Sequence, residues 1–383
     1  MSRSEYLEPT ETAPPDFLAA RNRRQKVRAA GLNPDYWYAV EWDANIKPGQ
    51  VISVEFWKRP IAVYRGTDGK LRALEDRCAH RQLKLSTGEV QGCNLVCPYH
   101  GWTYDGSGRV CDVPHDLFGH AAPQVGVHAY PIQVRYGLVW VFPGDPALAE
   151  TRRIPDIPEL EGPADRRWGC IPIDFTIAGH HSMVIDNVSD FSHAWLHRKY
   201  KPFSDAKLTK CEADGDKVFV TYDTKVGHGK ISGMFVDRRY VNTNSMDLCY
   251  EYPYQWSNTD NKIKHWLFVL PIDERTTRAF FLFYFERFRI PILPLKMPRR
   301  LMHLFLRFGK ALHVKPLLAQ DRAVIEAEQA GYERFHEAPI AELNPAVKLF
   351  QDLTIRKWNE QLAKTGQGKG ALPVISAAAG VTG

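Results

Sequence analysis

The spacing of hydrophobic and polar positions changes character along the chain, and the changes divide it. From Trp37 short runs alternate with a period of two, WYAVEW, QVISVEFW and PIAVYRG, and Thr67-Asp68-Gly69-Lys70 forms a hairpin turn. Alternation punctuated by Gly turns marks short strands with one face in a core. LRALEDR, TYDGSGRV and VHAYPIQVRYGLVWVF continue it, so residues 36–150 read as a small all-β domain. Pro146 to Pro163 is rich in Pro and charge and reads as a linker or wrapping loop.

Beyond the linker the period lengthens. FTIAGHHSMVIDNVSDFSHAWLHRKY has helical spacing, and strands are expected over 217–223, 246–252, 265–270 and 278–286. Two of these alternate too little for a half-buried strand, which predicts a sheet covered on both faces. After a break from Pro291 to Pro298, the segments 299–313, 318–335 and 344–364 are spaced as helices. Strands capped by helices predict an antiparallel-sheet domain over 151–383 and an α+β class for the chain. Residues 1–35, Pro-containing and Arg-rich around RNRRQKVR, read as a loose N-terminal arm with some helix, and the last fifteen or so residues as a docked or frayed tail.

Composition narrows the functional classes. With 383 residues, 44% of them hydrophobic, the chain can bury the cores of two domains, which excludes a disordered protein. The net charge of +6 is mild, and no Lys/Arg block is long or aromatic-interleaved enough for nucleic acid. It leaves a basic docking face for an acidic protein partner, or a plain solvated surface. No apolar run reaches the roughly 18 residues that span a bilayer. Seven cysteines, an odd number, and an N-terminus without a basic-then-apolar leader predict the reducing cytoplasm, with Cys111, Cys170, Cys211 and Cys249 as ordinary buried thiols.

Two constellations carry chemistry. The first is Cys78-x-His80, sixteen residues, then Cys97-x-x-His100. Two thiolates and two imidazoles, one of each per loop, suit a [2Fe–2S] cluster with two Cys on one iron and two His on the other. A tetrahedral zinc site takes the same ligands, but zinc loops usually pair like with like. Cys93 is a rival ligand, though only Cys97 stands beside the Pro98-Tyr99-His100 turn. The second is Asp190-Phe191-Ser192-His193-Ala194-Trp195-Leu196-His197. On one helix face, His193 and His197 at i and i+4 can bind a single metal. With one carboxylate they complete the two-His-one-carboxylate set of non-haem Fe(II) sites. Alone, such a pair is a weak signal against ordinary surface or core histidines.

CAHR (78–81), CPYHGW (97–102) and GLVWVFPGD (Gly137–Asp145) resemble Rieske proteins, and HGW resembles the oxygenase version. Leu83 and Tyr99 stand where respiratory-type members carry a disulfide, so the domain resembles the ferredoxin and ring-hydroxylating-oxygenase branch. The segment around Asp190, His193 and His197 resembles the mononuclear-iron motif of Rieske oxygenase α subunits; its spacing of three residues between the His is like that of the carbazole and oxoquinoline oxygenases. The resemblance implies Asp321, in LAQDRAVIE, as the third iron ligand, with Glu326 as runner-up and an ion pair of Asp321 with Arg322 or Lys315 as the bland alternative. It further implies a homotrimer in which Asp190 links the neighbour's His100 to His193; the plainer role for Asp190 is orienting His193 within one subunit.

A cluster with no vacant position can only pass electrons, whereas an open triad can bind O2. The chain is therefore expected to be a terminal oxygenase component that hydroxylates, dihydroxylates or dealkylates an apolar aromatic or heterocyclic molecule. A biosynthetic oxidation such as oxidative cyclisation, or a Rieske electron carrier with an idle second domain, are the alternatives. GxGxxG is absent, so electrons must come from a ferredoxin, an NAD(P)H-dependent reductase or both. Arg77, Arg81 and Lys84 are docking candidates, Arg81 being expected in an internal ion pair. Phe203, Met234, Phe235, Trp256, Trp266, Phe281 and Phe283 are available to line a pocket, and the basic amphipathic stretch 291–313 is a candidate membrane or substrate-entry surface, set against core or subunit packing.

Overall fold

The computed structural model describes residues 8–114, 123–161, 167–230, 236, 241–288 and 295–366. The chain forms two compact units, one of Asn33–Ile154 with the chain end from Gln361, the other of Met1–Leu32 with Pro155–Glu360.

The first unit is built from short antiparallel strands in three sheets. β1 (Tyr38–Trp42) pairs with β11 (Leu138–Val141), which pairs with β10 (Ile132–Arg135). β2 (Val51–Phe56), β3 (Arg59–Arg65), β4 (Leu71–Glu75) and β9 (Ala129–Tyr130) form the second sheet in that order. The third, β5 (Glu89–Gln91), β6 (Asn94–Val96), β7 (Thr103–Tyr104) and β8 (Val110–Asp112), carries the second Cys-His loop between β6 and β7. Tyr64, Leu74, Leu85, Leu95 and Tyr104 are fully buried between the sheets, in one cluster with Cys78 and Cys97. Both loops are thus rooted in core.

The second unit holds one seven-stranded antiparallel sheet. Its strands are β12 (Trp168–Ile177), β13 (Phe203–Asp214), β14 (Lys217–Val226), β15 (Ser245–Glu251), β16 (Tyr254–Thr259), β17 (Ile263–Pro271) and β18 (Thr277–Glu286), ordered β12-β18-β17-β16-β15-β14-β13. Three of these escape the hydrophobic pattern. β12 and β13 are the sheet's edges, where Pro172 is tolerated and half of β13 faces solvent with Lys207, Lys210 and Glu212. β16 reads as mixed because its buried positions include Gln255, Ser257 and Thr259. The helices are α1 (Arg23–Ala29), α2 (His181–Ser189), α3 (Arg299–Gly309), α4 (Lys315–Phe335) and α5 (Pro345–Thr365), with a π turn at Lys310–Val314 joining α3 to α4.

The N-terminal segment is not loose in its described part. Val27, Ala30 and Leu32 are fully buried. Arg28 reaches from α1 into the interior to Asp186 on α2 (2.8 Å) and Glu328 on α4 (2.8 Å), with a further bond to Ser182. A buried charge tolerates its environment only while paired. Arg28→Ala is expected to destabilise the second unit by about 3–5 kcal/mol by stranding Asp186, read as a lowered melting temperature; an unchanged melt would show the trio to be dispensable. Of the four remaining cysteines, only Cys249 is buried; Cys170 and Cys211 are half-buried and Cys111 is exposed.

Candidate active site

In the first unit the two Cys-His loops meet. Gln82, at φ 64°, turns the first loop so that its backbone N–H reaches the Cys78 carbonyl, and Gly101, at φ 69°, does the same for the second toward Cys97. Tyr104 ties them to the core, with its hydroxyl 3.2 Å from Cys78 Sγ and accepting from Ala79 N–H at 2.8 Å. Both thiols are buried, whereas His80 is exposed and its ring lies 4.6 Å from that of half-buried His100. Trp102 stacks on His80 at 4.8 Å. Burial pushes the Cys97 thiol up, and burial followed by the neighbouring His80 pulls His100 down. The set has a sulfur side within the core and an imidazole side at the surface, which fits the division of ligands that a Rieske cluster requires. Cys93 lies apart, at the β5–β6 turn. Arg77 pairs with Glu75 at 2.7 Å, while Arg81, expected in an ion pair, instead lies over the Tyr99 ring.

In the second unit the expected continuous helix ends early. Asp190 is extended (φ −102°, ψ 105°) and its carboxylate accepts from Ser192 N–H at 2.9 Å, so it closes α2 and caps a separate 3-10 turn over Phe191–Trp195. Asp favours this cap over a helix interior because its side chain competes for backbone N–H groups. His193 breaks the turn again (φ −79°, ψ 17°). The two imidazoles therefore converge from a kinked turn rather than one helix face, with ring centres 5.1 Å apart. α4 brings Asp321 between them: its Oδ1 is 3.1 Å from His197 Nε2 and 3.7 Å from His193 Nε2.

These three donors fit a metal. Atoms held by one ion at about 2.1 Å and at right angles lie about 3.0 Å apart. Asp321 Oδ1 is buried and no described donor is oriented to satisfy it. Gln320 Oε1 lies 3.0 Å from His197 Nδ1, a contact that suits the Nδ1–H tautomer, in which Nε2 is free as a ligand. Burial lowers His193 in spite of the Asp321 carboxylate; for His197 the same burial is outweighed by that carboxylate, and its value rises. The rivals go elsewhere, since Glu326 accepts from Ala178 N–H and pairs with Arg322. Asp190 Oδ1 also accepts from Asn344 Nδ2 at 2.9 Å, and that amide reaches the Tyr222 hydroxyl at 3.0 Å.

A cavity of about 1100 Å³, counting its open mouth, leads from the triad along one face of the sheet. Cross-strand register assembles its wall. Ser257, His265 and Phe283 form one row over β16–β18, and Thr259, Ile263 and Phe285 a row beside it. Of the aromatics available for a pocket, Phe203, Phe281 and Phe283 line the cavity. Trp256 and Trp266 do not; they pair across strands on alternate positions, 6.4 Å apart. Met234 and Phe235 lie outside the described residues. The pattern missed His265, whose Nδ1 is 2.6 Å from Ser257 Oγ and whose Nε2 is buried without a described partner, as is Thr259 Oγ1. Burial holds the His265 imidazole neutral, at about 4. Its two-residue offset from Ile263 was the available signal.

A family model described as the Rieske [2Fe-2S] domain matches residues 36–118, and one described as the vanillate O-demethylase oxygenase C-terminal domain matches residues 177–365. A 4beta-methylsterol monooxygenase of Methylococcus capsulatus is 46% identical over 88% of this chain and 91% of its own. The chain belongs to the Rieske oxygenases. Among solved structures, dicamba monooxygenase bound to dicamba shares the fold at a TM-score of 0.70 (22% identity, 87% of this chain and 100% of that one). The terminal oxygenase of carbazole 1,9a-dioxygenase from Nocardioides aromaticivorans follows at 0.64 (19% identity, 88% and 97%). This Rieske oxygenase is accordingly the terminal component of a multi-component system, with a [2Fe–2S] cluster and a mononuclear iron, and it draws electrons from a separate reductase or ferredoxin. The electron-carrier alternative falls away. No helix among the described residues is long and apolar enough to cross a membrane.

Proposed function

We propose that this oxygenase hydroxylates a methyl group on a rigid polycyclic lipid of the methylsterol type. The observation that carries the reading is a roomy cavity with a mainly apolar wall in which His193, His197 and Asp321 stand together. The methylsterol relative at 46% identity supports it. Cys78, His80, Cys97 and His100 would hold the cluster, and His193, His197 and Asp321 the iron. The bound iron supplies O2 activation with electrons delivered through the cluster. Overall, one methyl C–H becomes C–OH, the second oxygen leaves as water, and two electrons come from NAD(P)H. The protein's own contribution is to exclude water with Phe191, Phe203, Phe281 and Phe283 and to fix which carbon faces the triad.

His265 would do the fixing. Its Nε2 can exchange a hydrogen bond with a substrate hydroxyl in either tautomer, because a hydroxyl both donates and accepts. His265→Leu is expected to raise KM for a hydroxylated sterol by about five- to tenfold, with kcat changed less. It should also erase the preference over the deoxy analogue; a preference that survives the substitution would remove His265 from this role.

The test of the main reading is turnover with a Rieske oxygenase reductase, isotopically labelled O2 and either a 4-methylsterol or an aromatic methyl ether. One labelled oxygen on the sterol methyl carbon is the expected product. Turnover of the ether alone would favour the second reading, an aromatic or heterocyclic substrate, which the stacked Phe281 and Phe283 rings (5.5 Å) support. We further infer a cytoplasmic homotrimer, in which the neighbour's His100 would meet His193 through Asp190. A metal-bound imidazole commonly donates its second N–H to a carboxylate, and that is the support for the link.

A further inference from the structure

We propose that α3 is a docking element for an anionic membrane surface, through which a membrane-resident substrate reaches the cavity. This rests on the lipid reading of the site. Leu301, Leu304 and Phe308 recur at helical spacing and are 49%, 50% and 61% exposed; Leu312, on the following π turn, is 65% exposed, and Leu295 ahead of the helix 59%. They are not the helix's packing face. Met302, Leu306 and Gly309 are buried, and Met302 and Leu306 lie so close to Gly169 of β12 that a Cβ there would meet Leu306 at 2.5 Å. The helix thus has two apolar faces, one spent on the fold and one left in water. Exposed apolar surface of that size on one helix marks an interaction site.

Charge decides the occupant. From Arg287 to Gln320 the sequence has eight Lys or Arg and no Asp or Glu. Arg299, Arg300 and Arg307 are exposed around the apolar stripe, as is Lys296, which pairs with Glu286 at 3.1 Å. An apolar stripe bordered mainly by cations is the pattern of a helix lying in the plane of an anionic bilayer. A second copy of the same face would bring these cations against one another. Position supplies the second argument. The chain runs without interruption from this stripe through His313, Val314, Leu317 and Leu318, which line the cavity, to Asp321. A sterol leaving the bilayer at α3 would need no passage through water.

The experiment is co-sedimentation of the iron-loaded protein with vesicles of phosphatidylcholine, with and without phosphatidylglycerol. Binding is expected to the anionic vesicles, to weaken with salt, and to fall by about tenfold or more in the Leu304→Gln/Phe308→Gln/Leu312→Gln variant. The same variant should keep its turnover of sterol presented in cyclodextrin and lose it with sterol embedded in vesicles. Wild-type protein that stays in solution, or a variant that sediments like wild type, overturns the proposal. So does a variant whose solution mass falls, which would make the stripe a subunit contact. Vesicle binding is read without substrate, so failure of the sterol reading shows only in the cyclodextrin assay.

Discussion

Replacing Asp321 with Ala is expected to lower substrate oxidation to below about 1% of wild type while the absorption of the [2Fe–2S] cluster stays intact. Among the described residues, Asp321 Oδ1 is the carboxylate oxygen that stands within 3.1–3.7 Å of both imidazoles. Its removal leaves two neutral ligands on a kinked turn, too few to retain Fe(II). The ratio of iron to chain should drop from about 3 to about 2, the cluster's share. Folding should survive, since Asp321 lines a cavity and its loss enlarges that space rather than a packed core. A variant that keeps its third iron would move the carboxylate role to another residue. Glu326 is the poorest substitute because Arg322 and the Ala178 N–H already occupy it.

Asp190→Asn should act differently, leaving both metals bound and cutting substrate-coupled turnover by roughly 10- to 100-fold, in the range found when a carboxylate behind a metal ligand is replaced. The substitution is mild for the fold. Asn retains an Oδ1 that can accept from Ser192 N–H, so the cap that ends α2 persists. What disappears is the negative charge beside His193, and Ser192 Oγ, which donates to the other carboxylate oxygen, would meet an N–H donor there instead. The decisive measurement is single-turnover reoxidation of the reduced cluster in the presence of substrate. Slow reoxidation with normal iron content places Asp190 on the electron route; wild-type rates would eliminate both the bridging and the orienting role. Asn344→Ala, which frees the same carboxylate from its inward hydrogen bond, should have a smaller effect of the same kind.

The chemistry of both sites was legible because metal ligands are rare residue types at short spacings. Cys78/His80 and Cys97/His100 each lie within one loop, and His193/His197 within one turn, so local sequence alone pairs them. The local geometry of the second pair was not legible. The helical spacing of 175–200 is real, but Asp190 competes for the backbone and breaks the helix, and only the cap geometry exposes this. Asp321 is 124 positions from His197, and nothing in the chain between them specifies that contact except the resemblance of LAQD to a late helix of the family.

Strand recognition divided along the same line. β14, β15, β17 and β18 are interior strands with Val, Phe and Tyr on one or both faces, and their burial is written in their composition. β12 and β13 are edges, where solvent on one side lets polar residues in. The cavity is the extreme case. Ser257, His265 and Phe283 lie on three consecutive strands and share a wall only because antiparallel register puts them in one row. The sequence by itself determined the α+β class and the cofactor types, and it named six of the seven ligand candidates from nearby spacing, since these depend on period, ligand chemistry and local pattern. Only the tertiary structure decided where Asp321 points, which aromatics line the cavity, that His265 Nε2 is buried beside them without a described partner, and that one face of α3 is left uncovered. Those depend on strand register and helix packing, which join residues that no local pattern connects.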